Sequence, residues 1–404
     1  MPTSILNEYL TKRLGFLDLQ NELQRLIKAY NKHTGRYMFI YAADINKARN
    51  GQIDVSLVQD DFYNIQDILR QSTENKIDFY IETPGGSGEA AEEIAKFLHN
   101  KFEEVNFVVA GEAKSAGTIL VLSGDNIYMT DTGSLGPIDA QVKIGRSVVS
   151  AHDYKEWVDL KRDEAAKNGK LNPLDAVMVA QISPGELFGV INSLEFAKDL
   201  VKSWLEKHKF KNWSVTATSK TPVTPVMKQN RAHEVAEMFC DHTTWRTHGR
   251  SLKIADLNHH LQIERIDDDN ILADIVYRIN TVIRLIHGTS TVYKSFYVDD
   301  LKISKTYSIP GNVPPQNLVS PAKGSSGPVE AIDIGIKCPK CGKQHKAIGY
   351  LGITSQMIKD KNLKTTANIK NNEFFICDNC NFTIDLNPIK NQIETQLKKK
   401  VIFK

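Results

Sequence analysis

Cysteine is scarce in this chain, five among 404 residues. Four of the five form two close pairs, which suits a metal better than a disulfide framework. Long apolar runs are missing as well. The most apolar stretch, Phe107 to Met129, is cut by Glu112, Lys114 and Asp125, well short of the roughly 20 uninterrupted apolar residues a spanning helix needs. The opening MPTSILNEYLTKRLGF has no apolar run after a basic start and does not read as a secretory signal. Neither sign of charge dominates: 51 Lys plus Arg against 48 Asp plus Glu leave +3, so composition announces no broad basic face for nucleic acid. These absences lead to the expectation of a cytoplasmic protein without a transmembrane segment. What is present is 41% hydrophobic and 25% charged, an ordinary globular composition. At roughly 100 to 200 residues per domain, the length predicts two or three domains.

Residues 1–35 are polar with leucines at helical spacing (Leu6, Leu10, Leu14, Leu17, Leu23, Leu26) and predict an N-terminal helical arm. From Arg36 the pattern changes. YMFIYAADI, DFYIETPGG, VNFVVAG and NIYMT are short β-rich runs, and Val58 to Arg70 and Glu89 to Phe102 between them carry helical spacing. Such alternation predicts βαβ units and a mainly parallel sheet, an α/β fold with flanking helices. Ala151 to Lys211 read as several helices with apolar positions at Trp157, Leu160, Leu194, Leu200 and Trp204. Asn230 to Cys240 and Asp268 to His287 add further helices. This domain is placed at 36–303. Residues 304–328, rich in Pro, Gly and Ser, predict a linker; 329–390 form a small cysteine-bearing unit, and 391–404 a basic tail. No internal repeat is found.

Cys338-Pro-Lys-Cys341 and Cys377-Asp-Asn-Cys380 are C-x2-C pairs with 35 residues between them. Two residues between thiolates let a turn present both sulfurs to one metal, and two such knuckles complete a tetrahedral site. The expectation is a structural Zn2+ in a zinc ribbon, because a closed four-cysteine site keeps no open coordination position and a unit this small needs a staple. His345 is then a bystander. Such a ribbon can recruit a protein or a nucleic acid, the nearby Lys337, Lys340, Lys343 and Lys346 being able to touch phosphates.

Two glycine-bearing turns stand at carboxyl ends of expected strands: Thr83-Pro84-Gly85-Gly86, and Lys114-Ser115-Ala116-Gly117-Thr118. Parallel sheets place ligand sites there, and the helix behind each turn offers free N–H groups. A Ser115 hydroxyl so placed can attack a carbonyl whose oxygen is received by the N–H groups of Gly86 and Ala116. The alternative is a tight turn followed by a serine that caps a helix. Lys114, as the immediate neighbour, should point elsewhere. Cys240 reads as core and His259-His260 as a pair whose side chains diverge.

TPGGSGEAAEEIAKFL and AKSAGTILVLSGDNIYMTDTGSLGPIDAQ resemble the Clp/crotonase superfamily, most closely the serine dehydrogenase proteinase family, relatives of signal-peptide peptidase A and the Clp peptidase subunit. The resemblance covers roughly residues 36–267 and implies a serine peptidase fold. Ser115 would be the nucleophile, Gly86 and Ala116 the oxyanion donors, a peptide or protein the substrate, and a homo-oligomer the working form. Asp139 falls at or beside the position where the Clp peptidase has its histidine, and His248 where it has its aspartate. The resemblance thus implies His248 as base with Asp139 orienting it, in exchanged order. Signal-peptide peptidases use a lysine, and Lys155, Lys161 and Lys167 lie in range. Two other readings remain: an inactive scaffold whose ribbon binds nucleic acid or protein, and a crotonase-like acyl-thioester enzyme. No nicotinamide or pyridoxal phosphate motif supports amino-acid dehydrogenase chemistry.

Overall fold

In the computed structural model, which describes residues 4–46, 53–144, 147–216, 219–307, 320–321, 331–353, 357, 366, 368–397 and 399–403, the chain falls into two compact units. One comprises Leu26–Asn280 with Ser295–Ile303, the other Met1–Arg25 with Thr281–Lys294 and Ser304–Lys404. Most of the segment expected as a linker lies outside the described residues.

Helices α1 (Ile5–Lys12) and α2 (Phe16–Thr34) open the chain. Strand β1 (Tyr37–Ala43) follows, buried at six of its seven positions, as expected for a central strand covered on both faces. After α3 (Gln59–Leu69) come β2 (Lys76–Glu82), α4 (Gly88–Lys101) and β3 (Glu104–Val109). The two-residue β4 (Glu112–Ala113), helix α5 (Ala116–Leu122) and β5 (Asn126–Met129) complete the next crossover. β6 (Ser134–Leu135) pairs parallel with β4, and β7 (Gln141–Ile144) forms an antiparallel hairpin with β8 (Ser147–Ser150). Three long helices follow: α6 (Ala151–Asn168), α8 (Pro184–Trp204) and α9 (Pro225–Cys240), with the short α7 (Pro173–Val179) between the first two. The short α10 (His242–Trp245) and α11 (Ile254–Leu257) precede β9 (Glu264–Arg265) and α12 (Asn270–Thr289).

Strands β1, β2, β3, β5 and β9 pair in parallel in that order, with Tyr37 opposite Ile77 and Ile77 opposite Val105 fixing the central register. Val292–Tyr297 and Lys302–Thr306 lie beyond β1 in the same seven-stranded sheet. The sheet is therefore mainly parallel and the class α/β, as the alternation of runs predicts. Phe39, Phe79 and Phe107 pack as tilted pairs across β1, β2 and β3 with ring centroids 5.0 and 5.4 Å apart. Helices α3, α4 and α5 bury Ile65, Ile94 and Leu120 in the same core.

In the other unit, Ala331–Lys337 and Gln344–Leu351 form an antiparallel hairpin. It is extended by Val401–Phe403, whose Val401 and Phe403 are buried. Its core gathers Ile334, Phe375, Leu386 and Phe403 with Cys338 and Cys377.

Candidate active site

Ser115 sits at the head of α5 with φ 49° and ψ −116°, outside the basins open to a residue with a Cβ. Its side chain makes no capping hydrogen bond, although the N-cap position favours serine for that bond. Ser115 thus occupies the N-cap position without making the capping bond, and the hydroxyl is left half-buried and uncommitted among the described residues. The Thr83–Gly86 turn holds this geometry. Gly85 stands at φ 104°, and a Cβ there would come within 2.7 Å of the Ser115 Cβ. Gly86, at φ 153°, would bring a Cβ to 2.2 Å from the Leu57 carbonyl oxygen. Both positions require glycine. Leu57 N–H donates to the Gly85 carbonyl (2.7 Å) and Ser87 N–H to the Leu57 carbonyl (2.9 Å), so the turn is tied down on both sides. Among the described residues the Gly86 and Ala116 N–H groups have no acceptor, and Gly86 is exposed.

The hydroxyl of Thr118 on α5 lies 2.8 and 2.9 Å from the Ala113 and Gly136 carbonyl oxygens, sharing its one proton between them, and accepts from the Gly136 N–H. This fixes the 134–139 loop against α5. Asp139 is 4% exposed. Its oxygens accept from the Ser150 hydroxyl and the Gln141 amide, both at 2.9 Å. His248 Nδ1 is 4.0 Å from Asp139 Oδ2, beyond hydrogen-bonding range, and that nitrogen is enclosed without a partner. Burial lowers the His248 pKa below the ordinary 6.5, while Asp139 opposes the shift. The structure thus brings His248 and Asp139 together, and brings Gly85, Gly86, Ser115 and Ala116 together. No hydrogen bond joins His248 to Ser115. Catalytic hydrogen bonds are often long without substrate.

Sequence reasoning missed His242. Its Nδ1 lies 3.6 Å from the same Asp139 oxygen and its Nε2 3.0 Å from Asp153. The available signal was two histidines, His242 and His248, in the short segment after Cys240. Lys114 is buried and points away from Ser115, donating to the Leu135 and Arg250 carbonyls and the Ser251 hydroxyl. Burial lowers its pKa. Lys155 is paired with Asp159 at 2.6 Å, and Lys161 with Asp175 and Glu164 at 2.7 and 3.0 Å. Those hydrogen bonds raise the Lys161 pKa, the opposite of what a general base requires. Cys240 packs against the core, and burial pushes its thiol up to about 12.

A cavity of about 420 Å³ lies beside Asp139, lined by Ile138, Ala140, His152, Leu194 and Cys240 among others. A larger one, about 990 Å³, is lined by Lys76, Glu104, Asp125 and Asn126 at the amino ends of β2, β3 and β5. It is thus at the opposite end of the sheet from Ser115. The smaller cavity adjoins the Asp139 segment, and neither Ser115 nor His248 lines it.

The four clustered cysteines Cys338, Cys341, Cys377 and Cys380 bring their sulfurs within 4.8 Å of one another. Cys338 to Cys380 is 3.5 Å and Cys341 to Cys377 3.6 Å. Zn–S bonds of about 2.3 Å in a tetrahedron separate sulfurs by roughly 3.8 Å, so the set fits a zinc ion. His345 is no remote bystander. Its Nε2 is 3.2 Å from Cys377 Sγ, where a ring N–H can donate to a metal-bound thiolate and steady it.

The mainly parallel α/β sheet that carries this serine and glycine turn is consistent with a ClpP-like fold. Residues 44–167, about a third of the chain, match the family described as ClpP-like SDH-type serine proteinase. The uncharacterized protein MJ0137 of Methanocaldococcus jannaschii is 40% identical over 75 residues, 18% of this chain and 26% of that protein. MJ1495 from the same organism is 35% identical over 66 residues, 16% and 23% respectively. The chain matches about a quarter of the length of these curated relatives. Two solved forms of the 1510-N membrane-bound stomatin-specific protease, one with a substrate peptide, are 14% and 15% identical. They cover 55% and 63% of this chain and 79% and 84% of their own, each with a TM-score of 0.31. That likeness is too slight to bear on the site.

Proposed function

We propose that the chain is a serine peptidase in which Ser115 forms an acyl-enzyme, the Gly86 and Ala116 N–H groups receive the oxyanion, and His248, oriented by Asp139, takes the serine proton. The observation that carries this reading is Ser115 itself, held at φ 49° with its hydroxyl unused. Strain of this kind collects at functional sites. Digestion of a mixed peptide and denatured-protein library by wild type and by Ser115→Ala, read by mass spectrometry, tests it. Cleavage by wild type, falling about 10⁴-fold or more in the variant, is expected. Equal cleavage by both would remove Ser115 from the mechanism and favour the crotonase-like alternative or another site; cleavage by neither would favour the scaffold.

The four cysteines would hold Zn2+, which when bound cross-links the two knuckles and adds its binding free energy to folding. Work by this ribbon on a protein or nucleic-acid partner remains part of the proposal. So does self-association. Leu174, Val177 and Phe188, on α7 and at the start of α8, are 72%, 61% and 64% exposed, an apolar face that a second copy would cover. Light scattering should show Leu174→Ser with Phe188→Ser shifting the protein to a smaller species.

A further inference from the structure

We propose that His152, Asp153 and Glu156 form a divalent-cation site that acts on the serine centre through His242 and Asp139. The regulatory half rests on the peptidase reading above; the binding half does not.

His152 and Glu156 stand one turn apart on α6 and share a face, with Asp153 next to the histidine in the first turn. One ligand atom from each of the three lies within 4.8 Å of the others. His152 Nδ1 is 3.7 Å from the Glu156 carboxylate, too far for a hydrogen bond. It is close to the roughly 3.4 Å that separates two ligands of a tetrahedral zinc with bonds of about 2.1 Å. The second observation is independent of this spacing. His152 Nδ1 is enclosed and has no hydrogen-bond partner, although buried polar atoms are nearly always satisfied. A cation in the cavity wall that His152 and Glu156 line would satisfy it. Lys155 and Lys198, the cationic side chains lining the same cavity, are already paired with Asp159 and Glu237. An imidazole with two carboxylates favours zinc, cobalt or nickel over magnesium or calcium.

The link to the serine centre is a line of contacts. Asp153 lies 3.0 Å from His242 Nε2, and His242 Nδ1 lies 3.6 Å from the Asp139 oxygen that His248 also faces. The His242 ring stacks on that of His152, centroids 5.2 Å apart. A cation that engages Asp153 draws this carboxylate from His242. Asp139 is then the remaining acceptor for His242, which competes there with His248. Occupancy should therefore inhibit.

The test titrates full-length protein, its four-cysteine site already saturated, with Zn2+ by calorimetry. One additional site is expected in wild type, weakened at least tenfold in Glu156→Gln and in His152→Gln, with unchanged melting temperatures before zinc is added. No additional site, or one unaffected in Glu156→Gln, whose parent side chain is 68% exposed and whose folding is not at risk, would overturn the proposal. Peptide hydrolysis should fall severalfold with zinc in wild type and be insensitive to it in Glu156→Gln. Binding with zinc-insensitive hydrolysis would overturn the regulatory half alone. Binding without any Ser115-dependent hydrolysis would overturn that half together with the peptidase reading.

Discussion

Holding Ser115 at φ 49° costs on the order of 1–3 kcal/mol, and the surrounding contacts impose it. Alanine keeps a Cβ and therefore keeps the strain, whereas glycine releases it. Ser115→Gly is thus expected to be inactive yet more stable than Ser115→Ala by about 1 kcal/mol, read from denaturant midpoints; equal midpoints would deny the strain. His248 gives a second prediction. Burial sets its folded pKa below 6.5, so the imidazole is neutral and able to accept a proton at pH 7. With His248 as the proposed base, that base is lost as pH falls through the lowered value, and the acid limb of kcat/KM should lie below pH 6.5 and disappear from whatever activity remains in His248→Gln. The serine turn was legible in the sequence because glycines and small residues mark it. The strain was not, because φ at Ser115 is set by Leu57 and the 83–86 turn, far away in sequence. His242 stayed hidden for the same reason: only folding brings it to Asp139.

Elements whose apolar residues the core covers were the legible ones. The expected runs return as β1, β2, β3 and β5, and Val58 to Arg70 as α3, shifted by a residue or two at the ends. Periodicity failed where a helix has little to pack on. In α1, Leu6 and Leu10 are 47% and 56% exposed while Tyr9 is buried. Leu160 of α6 is likewise exposed. The β7–β8 hairpin escaped notice because QVKI and SVVS are too short to rise above their surroundings. Contact between α4 and the π turn Leu205–Lys209 after α8 yields the next prediction. His99 and His208 stack with centroids 3.5 Å apart, and both have lowered pKa values, chiefly through burial, His208 to about 4. A depressed folded pKa contributes stability that is present above the unfolded value of 6.5 and is lost as pH falls toward 4. Melting temperature should therefore drop between pH 6.5 and 4, and His208→Phe, which keeps the ring but cannot charge, should flatten that slope.

At the scale of the whole chain, no single helix among the described residues is long and apolar enough to cross a membrane, though Pro173–Val179 with Pro184–Lys209 meets the length and composition as a bent pair. The absence of an uninterrupted apolar run was readable from the sequence; the exposure of the α7–α8 face was not, since it depends on what the fold leaves uncovered. The two units have separate cores, one built on Phe39, Phe79 and Phe107, the other on Ile334, Phe375 and Phe403. They also depend on different forces. The sheet core is built on apolar burial, while the smaller core includes Cys338 and Cys377, two of the four clustered cysteines that could hold a metal ion. Structural zinc of this kind contributes its binding free energy directly to folding. The purified protein should carry one tightly held zinc per chain by elemental analysis, beyond the weaker site proposed on α6. Stripping it with a strong chelator should speed amide hydrogen exchange through 331–351 and 368–397 and leave the protection of β1, β2 and β3 unchanged. Loss of protection in both units at once would mean that they fold as one cooperative block, and no loss in either would mean that the four cysteines hold no structural metal.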